Sequence, residues 1–133
     1  MSQQNVEIVM RAINAFNGRD IDTIADLLSA DFEWFGALLG KSERGNYRGR
    51  EGMEAYFEEA TDIWEEFRLL TDEFRDLGDR VLVFGRMQGR TGGSGIEVES
   101  PLGVVFELRE ARLSRCRSYL DPSEALRAAG LTK

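Results

Sequence analysis

The chain has no histidine, a single cysteine (Cys116) and only two prolines. Each shortage removes chemistry. Without imidazole there is no Ser-His-Asp or Cys-His nucleophile, no histidine general base and no His-ligated metal. Proton transfer would fall to carboxylate, tyrosine, lysine, cysteine or water. One thiol cannot form an intramolecular disulfide or a multi-cysteine zinc pattern, and neither a metal nor a cofactor is expected. No apolar run approaches the roughly 18 residues of a membrane span. The start, Met1 to Asn5, has neither the basic cluster nor the apolar stretch of a secretory signal, so a cytoplasmic protein is expected. Basic residues are also in the minority, 17 Lys+Arg against 24 Asp+Glu. The resulting net charge of −7 opposes steering towards nucleic acid or an anionic membrane, and neither partner is expected.

What is present suits an ordinary soluble domain. Apolar residues make up 42% of the 133 positions, aromatics 10% and charged residues 31%, which predicts a single domain over 1–133 with one core. No repeat, low-complexity tract or domain boundary interrupts it.

Val6, Val9, Met10, Ile13 and Phe16 recur at helical spacing before Asn17-Gly18 and predict an amphipathic helix with that face buried. Asp20 can cap a second helix striped by Ile21, Ile24, Leu27 and Leu28. An aromatic-rich segment from Asp31 to Leu39 reads as a short strand, and Gly40 to Gly49 as a loop. A third helix carries Met53, Tyr56, Phe57, Ala60, Ile63 and Phe67 on one face. From about Phe67 the period changes to two. Strands are predicted near 67–76, 80–91, 96–108 and 112–121, with turns at Leu77 to Asp79, Gly92 to Gly95 and Glu110-Ala111. Pro101 should mark a bulge or bend. Asp121-Pro122-Ser123-Glu124 opens a short last helix, and Gly130 stops it.

This order gives a cone-shaped α+β barrel: three N-terminal helices packed in a curved, mostly antiparallel sheet, with a short C-terminal helix. A curved sheet around helices makes a cone whose mouth admits a small molecule. The chain from about Val6 to Leu131 resembles the nuclear transport factor 2-like superfamily, and within it the SnoaL-like group. The resemblance is carried by Ala15 to Asp20 with Leu27 to Asp31, by Tyr47 to Gly52, by Gly85 to Gly95, and by Tyr119-Leu120-Asp121 with Ala125 to Leu131. That superfamily hosts isomerases, epoxide hydrolases, polyketide cyclases, dehydratases and non-catalytic binding or dimerisation modules, so fold alone does not fix activity. The resemblance also implies a homodimer.

Its catalytic patterns are missing here. Where ketosteroid isomerase relatives carry a helix-1 tyrosine, an aspartate base and a protonated acid, this chain has Ala12, Gly36 and apolar residues at Leu102 and Val104. Where epoxide-hydrolysing relatives carry tyrosine, asparagine, an Arg-x-Asp and a final aspartate, it has Trp34, Gly36, Gly85 with Met87, and Ser118.

Alternation places Val81, Val83, Gly85 and Met87, then Leu102, Val104 and Phe106, then Cys116, Ser118 and Leu120 on the inner face. Arg115 and Arg117 fall outside, where they can meet Glu107 and water. Candidate pocket residues are therefore Trp34, Met87, Val104, Phe106, Cys116 and Ser118. Each also reads as plain core packing, and Gly36 and Gly85 either open space or allow bending. Trp34 offers one N–H that could orient a carbonyl. Candidate catalytic residues are Tyr56, a phenol able to donate to an oxyanion, and Asp31, whose burial beside Phe32 and Trp34 would raise its pKa to a useful base. Against this, Tyr56 fits an amphipathic helix and Asp31 a solvated helix exit. Two functions follow: a cofactor-independent isomerase, cyclase or hydrolase acting on a small apolar ketone, polyketide or epoxide, or a non-catalytic module that binds a small apolar molecule or dimerises.

Overall fold

The helical period at the start of the chain becomes α1 (Ser2–Asn17) in the computed structural model, which describes residues 2–35, 46–93 and 95–130. Val9 and Ile13 are buried with Ile8, Ala12 and Ala15. Met10, expected on that face, stays 45% exposed. It sits about 100° round the helix from Val9, on the side away from Ile8 and Ala12. Past Gly18, Arg19 adopts the left-handed conformation (φ 58°) that glycine more often supplies after a helix. The backbone N–H of Asp20 closes the helix end by donating to the Ala15 carbonyl at 2.8 Å.

Asp20 then caps α2 (Ile21–Leu27), its carboxylate accepting from the Thr23 N–H at 3.2 Å and the Thr23 hydroxyl at 2.7 Å. The first strand, β1 (Leu28–Phe35), starts three residues earlier than Asp31 because Leu28 already pairs with Leu113. A short strand not expected from the sequence, β2 (Asn46–Arg48), lies antiparallel to β1. It forms most of the described part of the segment read as a loop, whose last residue Gly49 opens α3; residues 40–45 lie outside the described residues, as do Gly36 and the rest of the strand expected to reach Leu39.

α3 (Gly49–Ile63) buries Met53, Tyr56, Phe57 and Ala60. The chain then runs through β3 (Trp64–Asp76), β4 (Arg80–Thr91), β5 (Glu97–Arg109) and β6 (Arg112–Tyr119), and ends in α4 (Pro122–Ala128). The sheet order is β2-β1-β6-β5-β4-β3, with β1 and β6 parallel and every other neighbour antiparallel. Four helices and an open, mixed sheet thus form a cone-shaped α+β fold, with the main core between α1 to α3 and the concave face.

Several local expectations need correction. Pro101 makes no bulge: it sits in regular register opposite Arg86. Its missing N–H is tolerated because β6 pairs with β5 only from Gly103 onward, leaving that flank free among the described residues. Leu120 is 49% exposed, since β6 has already ended at Tyr119 and the chain is turning into the α4 cap. There Asp121 accepts from the Ser123 N–H at 2.9 Å. Gly85 serves bending and close approach. It faces a bulge in β3 between Thr71 and Glu73, and a Cβ at Gly85 would lie 2.1 Å from the Leu70 carbonyl oxygen.

The convex face is not uniformly polar. Leu82 and Val105 are buried there beneath Ala125 and Ala129 of α4 and its C-cap. Gly103 permits this docking, because a Cβ would come 2.6 Å from the Cβ of Ala125. No described helix is long and apolar enough to cross a membrane.

Gly85→Ala should destabilise the fold by about 1–3 kcal/mol, because the obstacle is strand backbone that cannot swing aside. Urea denaturation should show the midpoint falling at unchanged slope. A variant as stable as the parent would refute the close-approach reading.

Candidate functional site

Period-two alternation brings the inner residues of four strands round one space. Trp34 comes from β1, Met87 from β4, Val104 and Phe106 from β5, and Cys116 and Ser118 from β6. Register fixes their neighbours. Trp34 lies opposite Cys116, Cys116 opposite Phe106, and Ser118 opposite Val104. Ala12 of α1 and Met53 and Tyr56 of α3 close the space from the helix side. The cavity is about 70 Å³, several times the roughly 10–15 Å³ one water needs. Ala12, Leu102 and Val104, which stand where the resemblance places a tyrosine and an acid, all border it as apolar groups.

Aromatic rings cluster on one part of the wall. The Tyr56 ring centroid lies 4.1 Å from that of Trp34 and 5.4 Å from that of Tyr47, and Phe16 meets Trp34 edge-on at 5.9 Å. Tyr56 is 1% exposed, and burial pushes its phenol well above the ordinary tyrosine range, so it stays protonated and can donate. Burial likewise raises the Cys116 thiol, which is free, and holds it neutral. The buried indole Nε1 of Trp34 has no acceptor among the described residues. An unmet buried donor typically carries a penalty of about 1–3 kcal/mol.

Every described residue round the cavity is uncharged. Asp31, expected to be buried with a raised pKa, is instead exposed on the opposite side of β1. Strand alternation turns Phe32 and Trp34 inward and Asp31 outward. There its carboxylate accepts from the Ser29 hydroxyl at 2.7 Å and from Arg109 Nη2 at 2.8 Å, which together hold its pKa below the ordinary value. Asp31 is therefore not brought together with Tyr56 and the six wall residues. The described residues contain no cluster of three His, Cys, Asp or Glu able to hold a metal ion.

Arg19 is a feature that sequence pattern did not single out. Its guanidinium carbon lies 3.6 Å from the Phe67 ring centroid, its Nη1 is buried with no partner among the described residues, and burial lowers its pKa. Beside it the Asn17 side-chain amide both donates to the Leu69 carbonyl (2.9 Å) and accepts from the Leu69 N–H (2.8 Å), tying the end of α1 to β3. The Asn17-Gly18 helix stop followed by a non-glycine, Arg19, is the faint sequence signal for this clip.

Residues 9–116 match the SnoaL-like domain family. Among solved structures the chain is similar to TerC, co-crystallised with polyporic acid, at 24% identity and TM-score 0.79 over 91% of this chain and 94% of that one. It is also similar to a nuclear transport factor 2-like protein from Burkholderia xenovorans, at 26% identity and TM-score 0.74 over 95% of both chains. A candidate SnoaL-like polyketide cyclase from Jannaschia shares 20% identity at TM-score 0.74, over 88% and 85% of the two chains. No curated protein matches.

Since the folded state holds the Tyr56 and Cys116 protons above their ordinary pKa values, their contribution is complete at neutral pH. It is lost as pH rises past the unfolded values, about 8.5 for the thiol and about 10 for the phenol. Urea unfolding between pH 7 and 11 should show this alkaline decline, and Tyr56→Phe should flatten its upper part. An equally steep decline above pH 10 in the variant would contradict the assignment. Asp31→Asn, on the far face, should leave affinity for a cavity ligand within about twofold.

Proposed function

Because the chain belongs to the SnoaL-like domain family, we propose that it binds a small, uncharged, mostly apolar molecule in the cavity between the helices and the concave face. The observation that carries this reading is the wall itself. Its described members are apolar or neutral polar groups, and a charged ligand would lose its hydration there without a counter-charge. The aromatic cluster of Trp34, Tyr56 and Phe16 supplies flat surface for a ring.

A second reading is turnover: cofactor-independent isomerisation, cyclisation or hydrolysis of a small apolar ketone, polyketide or epoxide. It draws on the family and on Tyr56, a buried phenol at the cavity that can lend a proton to a developing oxyanion. Binding without turnover is favoured over it by the apolar Ala12, Leu102 and Val104 and by the outward placement of Asp31, which leave no described base at the cavity. The resemblance adds a homodimer, and a cytoplasmic setting is part of the same proposal. Sedimentation at micromolar concentration should then show a dimer.

A thermal-shift screen against steroids, aromatic polyketides and terpenoid epoxides should find compounds that raise the melting temperature, since a ligand of the native state alone must stabilise it. Ala12→Leu should fill the cavity from the helix side, keep the protein folded and abolish the shift. Uniformly flat curves, or a shift that survives Ala12→Leu, would defeat the binding reading. For turnover of any hit, Tyr56→Phe should slow the rate by at least about tenfold, and an unchanged rate would remove the acid–base role.

A further inference from the structure

A second open space, of about 650 Å³, lies at the end of α1, where Asn17, Arg19, Phe67, Gly89 and Val98 border it. None of these residues borders the apolar cavity. The volume falls within the roughly 300–1,000 Å³ of small-molecule sites. Register puts Phe67 opposite Gly89 and Gly89 opposite Val98, so the three share the concave side of the sheet, and Val98 is 42% exposed there.

Arg19 is the charged side chain on that side of the cleft. It is half-buried, and its Nη1 is sealed off with no partner among the described residues. Its Nε and Nη2 are not sealed off, and neither makes a hydrogen bond to a described residue. Those two nitrogens form the side-on edge of a guanidinium, whose paired donors match the two oxygens of a carboxylate. The carboxylate whose charge Arg19 feels, Glu66, is already held by Arg90 at 2.9 Å. A fully exposed arginine needs no partner because water serves it, but one with a nitrogen shut away from water has lost part of that hydration.

Two features hold the open edge in place before anything binds. The guanidinium carbon stands 3.6 Å from the Phe67 ring centroid, so the side chain is positioned by a ring and its charge is left uncancelled. The backbone at Arg19 keeps a φ of 58°, a conformation in which glycine would be free of strain. Strain kept at a residue with a preorganised, unpaired charge points to use of that charge. The other charged residues round the cleft do not compete for a ligand on the concave side. Glu66, Arg68, Arg90, Glu97 and Glu99 neighbour Phe67, Gly89 and Val98 along their strands, and alternation turns their side chains to the other face.

We propose that this cleft is a second binding site, for a small organic carboxylate, with the Nε–Nη2 edge of Arg19 holding the carboxylate and Val98 meeting the apolar body. One guanidinium balances one negative charge, which favours a monoanion over a phosphate dianion. The site stands independently of the apolar cavity and takes the opposite class of ligand.

Two probes of one framework test it, 2-naphthoate and its uncharged counterpart 2-naphthamide. Titration of ¹⁵N-labelled protein with the naphthoate should shift the Arg19 Nε–H signal, assigned through its backbone connections, and the amides of Gly89 and Val98. The amides of Cys116 and Ser118, in the apolar cavity, should stay in place. The amide probe should bind at least about tenfold more weakly, the worth of a charge-assisted hydrogen bond. Arg19→Gln should erase that preference. Val98→Asp, which sets an anion in the same cleft at an exposed position, should erase it as well.

Equal affinity for acid and amide, or a preference that survives Arg19→Gln, would overturn the role of Arg19. Shifts confined to Cys116 and Ser118 would put the acid in the apolar cavity and remove the second site, as would the absence of any shift at Arg19, Gly89 and Val98. The Arg19 signal is read on the unsubstituted protein, so the outcome does not depend on a variant that folds.

Discussion

Joining the first strand of the chain to the last through a parallel ladder forces everything between them into one cup. A parallel pair cannot be closed by a hairpin, so α3 and the whole β3 to β5 meander must lie between β1 and β6. Register in that ladder is decided by what each face can tolerate. Glu33, Trp34 and Phe35 stand beside Arg115, Cys116 and Arg117. Glu33 pairs with Arg48 at 2.8 Å and lies 3.7 Å from Arg115, while Arg117 lies over the Phe35 ring at 4.3 Å. Trp34 and Cys116 turn the other way, into the core. Sliding one strand by a residue would bring arginines into the cavity and push the indole into water. The burial penalty of an unpaired guanidinium exceeds anything the exposed pairs gain, so a single register survives and the cavity wall is uncharged as its consequence.

That separation of charge from cavity governs the electrostatics. The carboxylates whose pKa is held low, Asp20, Asp31 and Glu99, are all exposed, tied to hydroxyl, amide or arginine donors at the surface. Their depressed values mean stability that is present near neutrality and lost as pH falls through the folded pKa. The interior behaves in the opposite sense, with phenol and thiol raised by burial and their contribution lost at alkaline pH. With no histidine in the chain, the described cavity has no group that changes charge between about pH 5 and 8. A neutral ligand fits such a space, and a proton-shuttling reaction there would have to work with the phenol or the thiol as its described acid and borrow its base from the substrate or solvent.

The legible features were those set by local periodicity and caps. Asp20 and Asp121 act as N-caps where their spacing places them. Alternation along β4, β5 and β6 was enough to gather Met87, Val104, Phe106, Cys116 and Ser118 on one side. Features depending on where a strand starts, or on a distant partner, were not legible. The inward turn of Phe32 decides the side on which Asp31 falls, and a carboxylate next to two aromatics in sequence is two-sided in space. Leu82 and Val105 look like exposed positions of a half-buried sheet until α4 is laid over them. Neither the three-residue β2 nor the exposure of Leu120 has a periodic signal of its own, because each is fixed by where a neighbouring element ends. Trp34 was readable as a donor, but its lack of an acceptor is a property of the assembled ring cluster.

The clip at the end of α1 shows how a local irregularity fixes one edge of the cavity. A non-glycine residue in the left-handed region is disfavoured by roughly 1–2 kcal/mol, yet Arg19 is held there at φ 58°. Two contacts offset this. Asn17 replaces a strand neighbour for Leu69, bonding both its N–H and its carbonyl, and the Arg19 guanidinium carbon stands 3.6 Å from the Phe67 ring centroid, an attraction worth about 2 kcal/mol when partly desolvated. Phe67 in turn stands 5.6 Å from Phe16 and 6.5 Å from Tyr56. The turn that ends α1 therefore presses the helix layer onto β3 through the same rings that border the cavity. Glycine at position 19 would relieve the backbone but release the stack, and the rings would lose the cation that fixes their outer edge. The strained turn thus ties the end of α1, with Phe16, to β3 at one edge of the cavity.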